Sequence, residues 1–203
     1  MRFILLVCAA LTLGGCASLF KTTQYPSLSQ EQQTALQQRR QALADISAWD
    51  FKGRLSLKTH NEAWTGKVRW RQSGEEFRLH FNSPTGQGAV QLMSNPQFGV
   101  EMRAAEGGVF YADDAETLLY DHTGWRLPVS GLRLWVMGLP DGNREISQLR
   151  FDEIGRIQLL EQYHWQIQYL QYQQVGTLDL PRKISLQNDK LDLRIVIDQW
   201  EIL

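Results

Sequence analysis

From Trp49 onward the chain alternates between apolar and polar residues. Trp49, Phe51, Gly53, Leu55 and Leu57 interleave with Asp50, Lys52, Arg54, Ser56 and Lys58. Trp64, Gly66, Val68 and Trp70 interleave with Thr65, Lys67, Arg69 and Arg71, and Phe77, Leu79 and Phe81 with Glu76, Arg78 and His80. A period of two predicts strands with one apolar and one polar face. Val90 and Leu92, then Phe98, Val100 and Met102, then Val109 and Tyr111 continue the series. Further strands are expected at 149–151, 156–161, 164–172, 181–187 and 191–202, which makes about eleven. Clusters of Gly, Asn, Ser and Pro separate them, as in an antiparallel meander. A large sheet with one apolar face curls into a partial barrel, apolar on its concave side. Gly53 and Gly66, inside strands, permit sharp local curvature.

The period changes to helical at two places. Ser29 is placed to cap a helix from Gln30 to about Ser47, whose apolar positions Leu36, Leu43 and Ile46 are few. That sparseness puts the helix on the surface of the domain. The second place is the island at 111–140. There Asp113 and Glu116 fit a capping box, and Leu118 and Leu119 give the helix an apolar side. Ser130 is placed to cap a further helix carrying Leu132, Trp135, Val136 and Leu139, stopped by Gly138 and Pro140. Two short helices with one apolar face each must lie on the sheet, in or across its mouth. The fold class is therefore mainly β with about three helices.

The 203 residues suffice for one domain, and a formal net charge of −1 provides no global field to recruit nucleic acid. The amino terminus changes the picture more. Arg2 precedes an apolar run from Phe3 to Leu13, too short for the roughly 20 residues of a membrane-spanning helix, so residues 1–15 read as a signal peptide. Its end, Leu13-Gly14-Gly15-Cys16, resembles the lipobox of bacterial lipoproteins, which implies lipidation at Cys16. Ala17 and Ser18 follow, without the Asp that favours inner-membrane retention in such lipoproteins, so the resemblance points to the outer membrane, with the domain facing the periplasm. Residues 16–28 read as a flexible tether and 29–203 as the domain. Cys8 leaves with the signal, so no free thiol or disulfide is expected.

Catalytic patterns are missing from the sequence. It has no Gly-x-Ser-x-Gly elbow and no His-Glu-x-x-His, and His60, His80, His122 and His164 are dispersed. Ser18-Leu19-Phe20-Lys21 matches Ser-x-x-Lys only within the tether, and Asp113-Asp114 is explained by helix capping. Gly86-Gln87-Gly88 lacks the third glycine and following helix of a phosphate loop. The reading is a protein that is not an enzyme, with no cofactor, no metal and no nucleic-acid partner. Lys52, Arg54, Lys67, Arg69 and Arg71 read as a basic, solvated outer face.

Several motifs in order resemble the LolB family of outer-membrane lipoprotein receptors. They are the lipobox, Gly53, Trp70-Arg71-Gln72, Phe77-Arg78-Leu79 before Ser83-Pro84-Thr85-Gly86, Tyr111-Ala112-Asp113-Asp114-Ala115-Glu116, Leu132-x-x-Trp135-x-x-Gly138-Leu139-Pro140 and Ile197-Asp198-x-Trp200. The resemblance implies a strongly curved, unclosed antiparallel sheet, a half barrel covered by helices. It also implies a monomer that accepts triacylated lipoproteins from the periplasmic carrier LolA and deposits them in the outer membrane. The task has a clear physical demand. At about 0.8 kcal/mol per CH₂, one 16-carbon chain is worth roughly 12 kcal/mol of exposure to water. Strand parity assigns Trp49, Phe51, Leu55, Trp64, Val68, Trp70, Phe77, Leu79, Phe81, Val90, Leu92, Val100, Leu132, Trp135 and Val136 to the inward side, where the resemblance implies an apolar cavity for acyl chains under the helices. In the family, the loop matching Pro84, Thr85 and Gly86 commonly exposes an apolar residue for membrane insertion. Here Thr85 stands in that position, and Phe98 or Met93 are candidates to replace it. Two other readings stay open: a structural envelope lipoprotein binding protein partners through a solid sheet, and a lipid-active hydrolase built from dispersed residues.

Overall fold

The structure, a computed structural model, describes residues 28–83, 89–105 and 107–203. The residues read as a signal peptide (1–15), Cys16, nearly all of the segment read as a tether, and Pro84, Thr85 and Gly86 lie outside these residues. Leu28, the last residue assigned to the tether, is buried against the core.

The alternating segments form eleven antiparallel strands in one sheet. Six come first: β1 (Ala48–Lys58), β2 (Ala63–Ser73), β3 (Glu76–Asn82), β4 (Val90–Asn95), β5 (Gly99–Ala104) and β6 (Val109–Ala112). Two helices follow, α2 (Ala115–Thr123) and α3 (Val129–Trp135), after the amino-terminal α1 (Gln30–Ala42). The remaining strands are β7 (Gln148–Phe151), β8 (Ile157–Gln162), β9 (Trp165–Val175), β10 (Leu178–Gln187) and β11 (Asp192–Ile202). Their spatial order is β6-β5-β4-β3-β2-β1-β11-β10-β9-β8-β7. Two meanders are thus joined at the centre by the pairing of β1 with β11, and β6 and β7 remain as separate edges. The sheet is curved and unclosed, as expected.

Its curvature has a local cause in β1. The register against β11 shifts between Lys52 and Gly53, a bulge that bends the strand. A Cβ at Gly53 would stand 2.3 Å from the Val196 carbonyl oxygen, so only glycine allows this approach.

The helices depart from expectation at their ends. Ser29 does cap α1, with a complete capping box to Gln32. The helix stops at Ala42 rather than near Ser47, because the chain tightens into i→i+3 turns from Arg40 to Ile46 before β1 begins. Leu36 and Leu43 are buried, and α1 reaches β7 through a bond from the Gln32 side chain to the Leu149 carbonyl. Asp114, not Asp113, caps α2 by accepting from the Thr117 amide. Ser130 does not cap α3, which begins after Pro128 without a side-chain cap. Glu116, expected in a capping box, instead reaches across to accept from the Ser130 amide and hydroxyl at 2.8 and 2.7 Å. One carboxylate thereby ties the two helices together at the positive end of α3.

Candidate functional site

All fifteen residues assigned to the inward side lie on the concave face of the sheet or on the cover. Twelve are buried, while Trp64, Phe77 and Val90 are half-buried. They divide into regions of different character.

At one end of β1 and β2, Trp49, Phe51, Trp70 and Trp200 form a closed aromatic knot with ring centroids 5.2–6.2 Å apart. Its polar handles are satisfied internally. The Trp70 indole N–H donates to Gln72 Oε1 at 3.0 Å, and that of Trp200 to the Pro181 carbonyl at 3.0 Å. At the opposite end of β2, Trp64 meets Phe81 at 6.3 Å and Trp125 at 5.2 Å. Trp125 belongs to the linker between α2 and α3, and both it and Trp64 are half-buried. This trio forms a rim where the cover touches the sheet. Strand parity could not find Trp125, since it lies in a loop and its partner is distant in sequence.

The cover itself is apolar underneath. Leu118, Leu119, Leu127, Val129, Leu132, Trp135 and Val136 are all buried, with Leu119, Trp135 and Val136 fully so. The inward side chains and the underside of the cover belong to one hydrophobic cluster, with Trp64, Phe77 and Val90 packed against it. A depression of about 780 Å³ lies at the sheet rim between residues 144–147, 161–166 and 187–192, and one of about 410 Å³ lies on the outer side of the cover around Tyr120 and Arg126. Neither is lined by any of the fifteen residues.

The cover is held unequally. Its carboxy-terminal end is pinned by buried polar groups. Arg39 Nη2 donates to the Met137 carbonyl at 2.8 Å, and Arg39 Nη1 to the Asp179 carbonyl at 2.6 Å. Burial lowers the Arg39 pKa, opposed by the nearby Tyr172 and Tyr169. Gly138, with φ 73°, leaves room for that guanidinium, since a Cβ there would stand 3.0 Å from Arg39 Nη2. The Tyr169 hydroxyl donates to the Trp135 carbonyl at 2.9 Å, and burial raises its pKa well above the usual phenol value. Gln162 accepts from the Trp135 indole and the Asp141 amide and donates to the Asp141 and Arg144 carbonyls, so all four of its bonds are made. Toward β2 and β3 the contacts are weaker: the apolar touch of Trp125 on Trp64, and the Arg133–Glu75 ion pair at 2.8 Å. Glu75 is 91% exposed, and such pairs contribute about 0–1 kcal/mol. Neither Arg39 nor Gln162 was singled out by sequence, because a buried polar residue in a polar-looking segment carries no periodic signal.

The alternatives for Thr85 also have places. Phe98 is exposed in the β4–β5 turn, whereas residues 83–89 connect β3 to β4. The two connections lie at opposite ends of these strands, so Phe98 is exposed at the end away from residues 83–89. Met93 lies on the outward side of β4, paired with Arg78 and Glu101.

Comparison with known proteins gives this geometry a family. The family model described as Outer membrane lipoprotein LolB matches residues 47–200. The Outer-membrane lipoprotein LolB of Nitrosococcus oceani is 41% identical over 201 residues, covering 99% of this chain and 98% of its own. That of Alkalilimnicola ehrlichii is 33% identical, with 99% and 97% covered. Among solved structures, a Vibrio parahaemolyticus domain described as an outer membrane lipoprotein-sorting protein superimposes with a TM-score of 0.55 at 10% identity, covering 83% of this chain and 90% of its own. A DUF1329 family protein from Desulfovibrio piger gives 0.52 at 6% identity with the same coverage. These two share the fold alone. Through the matched family and relatives aligned over almost their whole length, the chain belongs to the LolB family of outer-membrane lipoproteins.

Proposed function

We propose that this outer-membrane lipoprotein accepts triacylated lipoproteins from the periplasmic carrier LolA beneath its helical cover and inserts them into the outer membrane. Cys16 is its lipid anchor, and the fifteen inward residues with Trp125 receive the acyl chains. The observation that carries this reading is the asymmetric cover. Its underside is apolar, its carboxy-terminal end is fixed by Arg39, Tyr169 and Gln162, and its rim side rests on Trp64 through apolar contact. An acyl chain can replace such contact like for like, so moving the cover off the rim exchanges one apolar neighbour for another. A hinge at Gly138 and a release at Trp125 follow from where the polar bonds stop. Release into the bilayer falls to Pro84, Thr85 and Gly86, which follow β3 in the sequence.

The closed interior supports a second reading, a structural envelope lipoprotein whose solid sheet binds only protein partners. Depletion of the protein in its own cell distinguishes the two. Under the receptor reading, cargo lipoproteins accumulate on the periplasmic carrier, and purified protein brightens an apolar fluorescent probe that Trp125→Ala alters. Under the second, cargo reaches the outer membrane normally and the probe stays dark.

A further inference from the structure

The outward faces of β1, β2 and β3 carry three pairs of cations directly opposite one another. Lys52 faces Arg69, Arg54 faces Lys67, and Arg71 faces Arg78. All six are exposed. Like charges in direct cross-strand opposition work against the sheet, so an arrangement repeated three times calls for an anion from outside. Internal acids neutralise only part of it. Arg54 pairs with Asp198 and Arg69 with Asp50, each at 2.8 Å, and Glu201 lies near Arg69. These acids sit on the β1–β11 side. Among the described residues, Lys52, Lys67, Arg71 and Arg78 form no salt bridge, although Asp50, which pairs with Arg69, stands directly opposite Arg71, and Glu76 lies in the groove shared by Arg71 and Arg78.

Two further features lie on the same face. Arg71 and Arg78 open together onto a groove of about 250 Å³ that is also bordered by Ser73, Glu76, Phe77, Met93 and Ser94, so two cations face one acid there. The cross-strand row through that groove runs Arg71, Arg78, Met93, Glu101, Tyr111. At its far end Tyr111, 48% exposed, meets Phe98, 47% exposed, with ring centroids 4.9 Å apart. Unpaired guanidinium groups beside exposed aromatic rings are the pattern of a surface that rests in a membrane interface: cations on phosphates, rings at headgroup depth.

We propose that this outward face rests on the membrane, Arg71 and Arg78 taking the phosphate of an anionic phospholipid headgroup while Phe98 and Tyr111 enter the interfacial layer beside it. A membrane fits better than an acidic protein because the family is one of outer-membrane lipoproteins. Residues 16–28, even fully extended, span at most about 45 Å, which keeps the domain within reach of lipid at all times. With this face down, the cover on the concave side points away from the bilayer, toward arriving cargo. That last consequence rests on the receptor reading, whereas the lipid contact does not.

Residues 17–203 contain no cysteine, so one introduced cysteine can be labelled alone. The lipidated full-length protein is reconstituted in phosphatidylcholine vesicles with or without phosphatidylglycerol, with an environment-sensitive dye at Gln91→Cys on the outward face or Asp121→Cys on α2. The Gln91 dye is expected to be shielded from an aqueous quencher only with phosphatidylglycerol, and the Asp121 dye to remain accessible on both lipids. Arg71→Ala with Arg78→Ala should reduce the odds of the shielded state about 30-fold, and Arg71→Lys with Arg78→Lys should retain most of it. Equal shielding on both lipids, unchanged shielding in the alanine variant, or shielding that appears only when the carrier protein is added would overturn the proposal. Cargo acceptance measured on the same samples separates the two ideas. Its loss with shielding intact sinks the receptor reading, and the reverse sinks this one.

Discussion

The knot of Trp49, Phe51, Trp70 and Trp200 and the rim of Trp64, Phe81 and Trp125 use the same residue types for opposite ends. The knot draws on β1, β2 and β11, neighbouring central strands, and Trp49 and Phe51 each contact the other three rings. The rim joins the sheet to a linker in the cover, and two of its three rings are half-buried. A ring enclosed on all sides contributes to stability alone. A ring shared between the sheet and the linker of the cover, half-buried as Trp64 and Trp125 are, contributes less to stability.

The largest expected effect tests that contrast directly. Phe51→Ala, at a residue 1% exposed, should cost about 3–5 kcal/mol in urea unfolding. Trp125→Ala should cost about 1 kcal/mol yet lower cargo transfer from the carrier several-fold. Equal stability losses would erase the distinction between the two regions. A charge at Trp70, 2% exposed inside the knot, is expected to unfold the chain rather than to report on transfer.

An intermediate effect is expected at the pinned end of the cover. Arg39→Met removes two donors and leaves the Met137 and Asp179 carbonyls unsatisfied, a loss of about 1–3 kcal/mol. If Arg39 holds the hinge, amide exchange in α3 accelerates while that of β1 around Phe51 does not. Uniform acceleration through both would mean that the cover and the knot form one cooperative unit.

What the sequence made legible follows the same division. The strands and their parity were readable because one face of the sheet is buried throughout, which imposes a period of two on residues such as Phe51, Leu55, Leu79 and Leu92. The unclosed order of the sheet entered through family resemblance, since periodicity cannot say which strands lack a neighbour. The caps of α2 and α3 were misplaced because Glu116 spends its carboxylate on Ser130, a tertiary contact that competes with the local capping box. The polar pins Arg39, Gln162 and Tyr169 and the rim partner Trp125 depend on elements brought together by the fold. Parity also could not divide the fifteen inward residues between the twelve that are buried and the three that are half-buried.

The smallest effect concerns His80, whose neighbour Phe81 points into the rim from the same strand. Its pKa is lowered, first by burial and then by the charges of Arg78 and Arg69. Because the folded pKa lies below the unfolded value of about 6.5, the unfolded chain binds the additional proton first. Stability on this account is unaffected above that pH, declines as pH falls through the window below it, and reaches its full penalty once the folded imidazole is also charged. The added cation sits on β3 next to Phe81 and two strands from Phe51. Acidification should therefore speed amide exchange near Phe81 before it does so near Phe51, and His80→Gln should remove the difference. On phosphatidylglycerol vesicles the headgroup phosphates would offset the field of Arg69 and Arg78, raising the His80 pKa toward its unfolded value and so reducing the size of the same loosening. An unshifted His80 titration on anionic lipid would place the charged outer face in water and leave the rim and the knot to be distinguished by their packing alone.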